Sequence, residues 1–320
     1  MRGMKTILVT GGAGFIGATY IHHLFKSYDD VHVVNVDALT YAADLSHLNV
    51  FENDSRYHFH HIRLEEYDAL KKVFSLYKID EVVHFAAESH VDRSILDGRS
   101  FVISNVLGTQ SLLECARQFS VSKFVHVSTD EVYGSLGAEG VFTEETPLAP
   151  NSPYSASKAG SDLLVRSYVH THGLPCVTTR CSNNYGPRQF PEKLIPLMIH
   201  QAFNGKPLPV YGTGENIRDW IYVEDHCRGV DAVRLKGRVG EVYNIGGRCE
   251  LANLHIVKQI LKRLGKPESL ITFVEDRLGH DFRYAMGIDK IQSELGWEPE
   301  VDFESGLDLT IAWYLKRMTT

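Results

Sequence analysis

The sequence has few cysteines, and none of them forms a recognisable pair. Five cysteines are spread through 320 residues with no C-x-x-C spacing: Cys115, Cys176, Cys181, Cys227 and Cys249. This distribution excludes a disulfide framework and indicates no structural zinc site. We therefore expect reduced thiols and a cytoplasmic protein.

Long apolar runs are also absent. No stretch approaches the roughly 18 apolar residues that a membrane-spanning helix needs. The N-terminal segment MRGMKTILVTGGAGFIG is basic and then apolar, but glycines interrupt it early and no small-residue cleavage site follows. The sequence predicts neither a signal peptide nor a membrane partner.

The chain has no excess of positive charge. Its formal net charge is -7, so nothing in its electrostatics favours nucleic acid as a partner, and an anionic ligand would need a local basic site. Histidine is plentiful, most densely at His58, His60 and His61. On a strand these three would divide between two faces, and no acid or cysteine completes a ligand set, so no metal is predicted.

The first half of the chain alternates short apolar runs with helix-length segments. This alternation predicts an α/β fold, a Rossmann-type doubly wound parallel sheet with helices on both faces. The predicted strands span residues 5–10, 31–36, 57–62, 81–86, 123–128 and 176–181. The predicted helices of this half span residues 15–26, 67–77, 102–119 and 153–172.

After Cys181 the pattern loosens into segments punctuated by proline and glycine, with helices predicted at 194–203, 225–235, 253–264 and 289–295. A second, smaller mixed lobe is expected there. Residues 1–181 would form the Rossmann lobe, with 225–250 returning to it. Residues 182–224 and 251–320 would form the C-terminal lobe, which binds the substrate in a shared cleft.

A glycine-rich loop follows the first predicted strand. Gly11, Gly14 and Gly17 lie where the chain turns into the first helix, and such a turn lets backbone N–H groups approach the diphosphate of a dinucleotide. Asp37 ends the second strand, about 20 residues further on. An acid there accepts hydrogen bonds from a ribose 2′-hydroxyl and repels a 2′-phosphate, which favours NAD over NADP.

Tyr154 and Lys158 lie one helical turn apart. Ser152 is a good N-cap and Pro153 suits the first helical position, so the two side chains share one helix face. A neighbouring ammonium and a positive nicotinamide ring would favour the phenolate, which can then remove the proton of a hydroxyl while hydride leaves its carbon. The pair alone could be an exposed helix face, but together with the glycine loop it predicts a catalytic pair.

With these motifs the chain resembles the extended short-chain dehydrogenase/reductases that act on nucleotide sugars. From residue 5 to about residue 315 it is similar, in particular, to the dTDP-glucose 4,6-dehydratases. The segments that carry this resemblance are AAESHVDRS (86–94), STDEVYG (128–134), SNNYGP (182–187), FPEKLIP (190–196), RDW (218–220) and DRLGHD (276–281).

The resemblance implies a hydro-lyase reaction on dTDP-glucose that yields dTDP-4-keto-6-deoxyglucose. C4 is oxidised, water is eliminated across C5 and C6, and hydride returns to C6. Two carboxylates in different protonation states can supply the acid and the base of the elimination. Three alternatives stay open: the same reaction on UDP-glucose, a nucleotide-sugar 4-epimerase, and a non-catalytic NAD-binding module.

The resemblance also implies roles for individual residues. Asp130 would be the acid and Glu131 the base, while Thr129 positions the C4 oxygen beside Tyr154 and Lys158. Neighbouring residues in a strand point to opposite faces, so the chain must leave its strand near Thr129. The implied NAD contacts are Gly11, Gly14, Phe15, Ile16, Gly17, Asp37, Leu39, Thr40, Leu64, Phe85, Ala86, Ala87, Ser104, Tyr154, Lys158 and Asn184.

The implied substrate site is rich in donors for a diphosphate, because the forked guanidinium of arginine suits phosphate oxygens. It consists of Ser89, Thr129, Asn183, Lys193, Leu194, Pro209, Tyr211, Arg218, Asn253, Arg277 and His280. The family forms homodimers through helices that correspond to residues 101–119 and 155–172, although core packing would explain their apolar stripes equally well.

The match departs from the family at a few positions. Arg63 occupies the place of an aspartate that accepts a hydrogen bond from adenine, and a guanidinium has no acceptor. Ala43 and Asp44 replace a usual Gly-Asn, and Leu278 replaces a usual proline. None of these positions belongs to the expected catalytic set.

Overall fold

The structure, a computed structural model, describes residues 4–319. The outermost residues of the two expected lobes, 1–3 and 320, lie outside the described residues, as does the start of the segment in which no signal peptide was predicted. Within 4–319 there are twelve strands: β1 Lys5–Thr10, β2 Val31–Asp37, β3 Tyr57–His61, β4 Glu81–His84, β5 Lys123–Thr129, β6 Cys176–Cys181, β7 Asn183–Tyr185, β8 Leu208–Tyr211, β9 Ile217–Tyr222, β10 Val242–Ile245, β11 Glu250–Ala252 and β12 Ile271–Val274.

The α-helices of the described residues are α1 Phe15–Ser27, α2 Tyr67–Leu76, α3 Val91–Leu96, α4 Gly98–Phe101, α5 Gly108–Gln118, α6 Pro153–His172, α7 Leu194–Phe203, α8 Val223–Lys236, α9 Asn253–Arg263, α10 Asp289–Leu295 and α11 Phe303–Thr319. A π-helical stretch, Val102–Leu107, joins α4 to α5. Short 3₁₀ helices span Leu45–Phe51, Asp130–Tyr133 and Glu268–Leu270.

A seven-stranded parallel sheet forms the centre of the molecule, with strand order β10-β6-β5-β4-β1-β2-β3. Successive residues of a strand point to opposite faces, so Ile7 and Val9 pack with α1 and α8, while Leu8 packs with α2 and α5. Both faces are covered, which is why these strands read as continuous apolar runs. The predicted doubly wound sheet is confirmed.

Two smaller sheets adjoin this core. One has the order β11-β9-β7 and mixes antiparallel with parallel pairing, and the other pairs β12 with β8. A separate apolar cluster joins them to α7, α9 and α11. Among residues 4–319, no helix combines the length and the apolar character needed to cross a bilayer.

All six predicted strands are present, with ends within two residues of their predicted positions. The predicted helix 102–119 begins as a π-helical stretch and becomes α-helical at Gly108. The sequence analysis missed α3, α4, α11 and the six short strands after Cys181. One of these, β10, pairs with β6 inside the central sheet, and it lies within the segment 225–250 that was expected to return there.

Candidate active site

Two adjoining cavities open where the central strands end. The glycine cavity is lined by the loop after β1, by the end of β2 and by Tyr154 and Lys158. The arginine cavity is lined by Arg218 and Arg277 together with parts of the C-terminal half. Five residues line both: Ser89, Glu131, Asn183, Glu192 and Lys193. In parallel α/β sheets, ligands bind at this edge of the strands.

The glycine loop has the geometry of a phosphate-binding turn. Gly11 has a φ of 71°, and a Cβ on Gly17 would lie only 2.2 Å from the carbonyl oxygen of Gly11. Gly14 is the N-cap of α1 and provides no capping side chain. The first turn, with Phe15 and Ile16, therefore presents backbone N–H groups to the cavity, and this arrangement fits the diphosphate of a dinucleotide.

Asp37 lies at the far side of the same loop. Its carboxylate accepts backbone hydrogen bonds from Ala13 (2.9 Å) and Leu39 (2.8 Å). Burial raises the pKa of this carboxyl, although the two N–H groups oppose that rise. A carboxylate oxygen has more than one lone pair, so Asp37 retains acceptor capacity for ribose hydroxyls.

Most of the residues predicted to contact the cofactor line the glycine cavity. Leu39 and Leu64 do not. The side chain of Leu64 lies in the hydrophobic core, which leaves only its backbone for a ligand. Those that line the cavity are Gly11, Gly14, Phe15, Ile16, Gly17, Asp37, Thr40, Phe85, Ala86, Ala87, Ser104, Tyr154, Lys158 and Asn184.

Tyr154 and Lys158 are buried on α6 and line the glycine cavity. The Nζ of Lys158 donates to the carbonyl oxygen of Val127 (2.9 Å), and burial lowers its pKa to about 8. Burial, followed by the charge of Glu131, raises the pKa of Tyr154 well above its usual value. The hydrogen bond with Thr129 opposes this rise, but desolvation is the largest cause in the chain alone.

Asp130 and Glu131 lie in a 3₁₀ turn that begins directly after β5. The hydroxyl of Thr129 accepts from the backbone N–H of Glu131 (3.3 Å) and donates to Asp130 (3.2 Å). Neighbouring residues of a strand would point to opposite faces, but the chain leaves its strand at Thr129, and both Asp130 and Glu131 line the glycine cavity. Gly134, with a φ of 88°, closes the turn.

Burial raises the pKa of both carboxyls, but the two groups have different neighbours. At Asp130 burial acts together with the negative charges of Glu131 and Asp219, and the pKa rises well above its usual value. At Glu131 the positive charges of Lys193 and Arg218 oppose the effect of burial. The environment therefore favours a proton on Asp130 over one on Glu131.

Two arginines dominate the second cavity. Arg218 is held by three backbone carbonyls, those of Ile217 (2.7 Å), Asp281 (3.0 Å) and Phe282 (3.4 Å). Arg277 pairs with Asp92 of α3 at 2.6 Å. The other predicted substrate residues that line this cavity are Ser89, Asn183, Lys193, Leu194, Pro209, Tyr211, Asn253 and His280, while Thr129 lines only the glycine cavity.

Glu192 is a site residue that the sequence analysis did not single out. Its side chain lines both cavities and faces His90 (3.5 Å) and Arg93 (3.6 Å). It lies within FPEKLIP, so this matched segment carried a usable signal. Asp92 and Trp220, which lie within the matched segments AAESHVDRS and RDW, also line the arginine cavity, as does Tyr284, which lies in none of the matched segments.

Arg63 and the histidine cluster lie at the edge of the sheet. The Nε of Arg63 donates to Glu65 (2.8 Å), and neither side chain lines the glycine cavity. His58 and His60 both contact Tyr77, whereas His61 contacts the carbonyl of Ala38 on the other side. Within residues 4–319, no three His, Cys, Asp or Glu side chains are arranged to hold a metal ion.

Comparison with known proteins places this geometry in context. A family model described as GDP-mannose 4,6 dehydratase matches residues 8–310. The sequence is 52% identical to a dTDP-glucose 4,6-dehydratase of Neisseria meningitidis serogroup B, in an alignment that covers 99% of this chain and 95% of the relative.

Solved structures agree with the sequence comparison. DesIV, a dTDP-glucose 4,6-dehydratase of Streptomyces venezuelae solved with NAD bound, is 47% identical with a TM-score of 0.95, over 98% of each chain. A UDP-glucose 4-epimerase of Thermotoga maritima is 29% identical with a TM-score of 0.91, over 98% of this chain and 99% of its own. The fold is thus common to both activities, while the higher identity is with the dehydratase.

Proposed function

The chain belongs to the GDP-mannose 4,6 dehydratase family, and from this premise we propose that it catalyses the NAD-dependent dehydration of dTDP-glucose to dTDP-4-keto-6-deoxyglucose. The observation that carries this function is the position of Asp130 and Glu131. Both line the cavity that holds Tyr154 and Lys158, and Glu131 also lines the arginine cavity. A hexose at this junction would meet an oxidation pair and an elimination pair at once.

In the first step Tyr154 removes the proton of the C4 hydroxyl, and Thr129 holds the C4 oxygen. When bound, NAD would supply the hydride acceptor for this oxidation and, once reduced, the hydride donor for C6, and the positive ring of its oxidised form would favour the phenolate. Lys158 supports the same change, since its ammonium lies on the helix face that carries Tyr154. The lowered pKa of Lys158 means that this charge is lost above about pH 8.

Elimination follows because a ketone at C4 acidifies the hydrogen on C5. Glu131 removes that hydrogen as a proton, Asp130 donates a proton to the departing C6 hydroxyl, which leaves as water, and Glu131 returns its proton to C5 when C6 receives hydride. The different surroundings of the two carboxyls support this division, since burial and two nearby carboxylates favour a proton on Asp130. At Glu131 the positive charges of Lys193 and Arg218 oppose the effect of burial, which favours the ionised form that a base needs.

Arg218 and Arg277 bind the diphosphate in the arginine cavity, with contacts to the sugar nucleotide from Ser89, Asn183, Lys193, Leu194, Pro209, Tyr211, Asn253 and His280. The forked guanidinium groups suit phosphate oxygens. Three carbonyls already orient Arg218, so little side-chain freedom remains to be lost when the ligand binds.

Purified protein incubated with dTDP-glucose or UDP-glucose, each deuterated at C4, tests this function. With dTDP-glucose, we expect the label to move from C4 to C6 with loss of water. Mass spectrometry and NMR of the product detect both changes. Label retained at C4 of a galactose product would instead identify a 4-epimerase. Unchanged substrate would leave only a binding role. Faster conversion of UDP-glucose would reassign the nucleotide.

We also propose that the chain acts as a homodimer in the cytoplasm. Three apolar side chains of the expected dimer helices are largely exposed in the single chain: Val102 (54%), Leu107 (47%) and Leu163 (58%). All five cysteine thiols are free, which suits a reducing compartment. Size-exclusion chromatography with light scattering should give twice the chain mass, and Leu163→Glu should shift it toward the monomer.

The division into two lobes completes the proposal. Residues 1–181 together with 225–250 would bind NAD, and residues 182–224 with 251–320 would bind the nucleotide sugar. The pairing of β10 with β6 supports the return of the chain to the first lobe. Limited proteolysis with and without each ligand would show which segments each of them protects.

A further inference from the structure

A buried polar network lies behind the catalytic groups without touching either cavity. At its centre is Arg180 of β6, which is only 6% exposed. Its Nε donates to Oδ2 of Asp162 (2.9 Å), and its Nη1 donates to the hydroxyl of Tyr133 (2.9 Å). The guanidinium carbon also lies 4.8 Å from the centroid of the Tyr133 ring. Arg180 therefore joins two side chains from different elements.

Tyr133 is the last residue of the turn that carries Asp130 and Glu131. Its hydroxyl accepts from Arg180 and donates to Oδ1 of Asn244 (2.8 Å), so its hydrogen-bonding capacity is well used. Residues i and i+3 of a 3₁₀ helix lie on the same side, which places Tyr133 below Asp130. A fixed Tyr133 thus limits rotation of the turn that presents the two carboxyls.

Asp162 belongs to the helix that carries the oxidation pair. Tyr154, Lys158 and Asp162 follow one another at steps of four on one face of α6. Asp162 receives Arg180 on one oxygen, and its other oxygen lies 3.2 Å from Nε2 of His126 in β5. The carboxylate therefore fixes this face of the helix against the central sheet.

We propose that Arg180 is a positioning residue that sets the distance between the Asp130/Glu131 turn and the Tyr154/Lys158 helix, and thereby keeps elimination in step with oxidation. Arginine suits this role because its planar fork can hold a hydroxyl and a carboxylate at the same time, and it stays charged when buried. The inference rests on the proposed function, since only a reaction with both steps needs the two pairs in register.

A positioning role and a purely structural role have different consequences. A residue needed only for folding would lower the amount of folded protein or slow both steps alike. A residue that orients the turn would slow elimination while oxidation by Tyr154 continues, because the turn shifts relative to a bound sugar. The 4-keto-glucose nucleotide would then accumulate before water is lost.

Tyr133→Phe is the mildest test, because it removes only the hydroxyl that links the turn to Arg180. In single-turnover quench experiments with dTDP-glucose, analysed by mass, we expect C4 oxidation within about twofold of the wild type. We expect elimination to slow by about tenfold or more, as misplacement of catalytic groups does. Tyr243→Phe, which removes a buried hydroxyl of β10 bonded to Glu294, is the matched control and should change neither rate.

Arg180→Lys keeps the positive charge but loses the forked guanidinium. Like Tyr133→Phe, it should slow elimination and leave the rate of C4 oxidation nearly unchanged. If both variants act through one hydrogen bond, the double variant should be no slower in elimination than Arg180→Lys alone. Equal slowing of both steps, or wild-type elimination in Tyr133→Phe, would overturn the inference and leave the proposed function standing. A wild-type protein that does not convert dTDP-glucose would instead overturn the function itself.

Discussion

At the scale of single residues, burial and the charges of neighbouring groups together shift the pKa of each candidate active-site group. Asp130 and Glu131 are adjacent in sequence and carry the same functional group. Burial raises the pKa of both, but the largest charge effects at Asp130 come from the carboxylates of Glu131 and Asp219, whereas at Glu131 the largest comes from the ammonium of Lys193. A proton is therefore easier to hold on Asp130, which is the form that an acid needs.

Glu131→Gln should block elimination while leaving NAD binding unchanged. The amide keeps the size of the side chain but cannot accept the C5 proton, and loss of such a group typically costs a hundredfold or more in rate. Turnover of dTDP-glucose and cofactor fluorescence measure the two properties. Glu139→Gln, at an exposed loop position, is the control. Wild-type turnover by Glu131→Gln would remove this residue from the mechanism.

Lys158 should make stability depend on pH in the alkaline range. Burial lowers its pKa in the folded state to about 8, whereas the unfolded chain keeps the proton up to a pKa of 10.5. Between these values unfolding takes up a proton, so the folded state gains stability as pH rises. Relative to Lys158→Met, the free energy of unfolding of the wild type should rise by about 3 kcal/mol across this window.

Urea unfolding of both proteins at pH 7 and near pH 10 checks this. Because other groups titrate equally in the two proteins, only the difference between them matters. A difference that stays constant with pH would mean that Lys158 keeps its proton in the folded state.

At the scale of elements, α6 shows why some boundaries can be predicted. Ser152 and Ser155 form a reciprocal capping box at its start, and Pro153 occupies the first turn. Gly173 ends the helix in the left-handed region with a φ of 64°. Each of these signals is local, and the predicted bounds of 153–172 are confirmed.

Gly173→Ala should destabilise the protein through the backbone alone. A Cβ at this position would meet no atom within 4 Å, but its left-handed conformation costs roughly 1–2 kcal/mol for a residue with a Cβ. Gly137→Ala is a matched control, because it also meets no atom and has no positive φ. Equal free energies of unfolding for the two variants would contradict this account.

Other elements could not be predicted from local signals. The strands after Cys181 are three to six residues long, and their pairing joins segments that are distant in sequence, such as β8 with β12. The 3₁₀ turn at 130–133 depends on the Thr129 hydroxyl and on Gly134, whose Cβ would lie 2.5 Å from the carbonyl oxygen of Ala149. That contact exists only after the chain has folded.

At the scale of the whole molecule, a buried ionic network connects helix α8 with strands β1 and β4 of the central sheet. Arg234 of α8 pairs with Glu81 of β4 (2.6 Å) and with Asp231 (2.8 Å), and all three side chains are buried. Lys5 of β1 also pairs with Glu81. The network thus connects segments that are more than 150 residues apart in sequence.

Arg234→Met should lower the free energy of unfolding by about 3–5 kcal/mol, since it removes a buried cationic partner from two buried carboxylates at once. Urea denaturation provides the measurement. Arg238→Met is the control, because Arg238 pairs with Glu294 at 2.6 Å but is 61% exposed, and such pairs contribute about 1 kcal/mol or less. If the two variants lost similar amounts of unfolding free energy, burial would not determine how much an ion pair contributes to stability.

The sequence by itself determined the central sheet and supplied the predicted chemistry of the site. Strand and helix periodicity, the glycine loop, Asp37 and the spacing of Tyr154 and Lys158 are encoded over a few residues, so they can be read without knowing the fold. The predicted family and cofactor are confirmed by the relatives and by a solved dehydratase with NAD bound.

Only the tertiary structure decided how these pieces meet. The raised pKa of Tyr154, the position of Glu192 between the two cavities and the link from Arg180 to Tyr133 and Asp162 all depend on distances between segments far apart in sequence. Desolvation and long-range hydrogen bonding are properties of the packed chain, and no local pattern of residues records them.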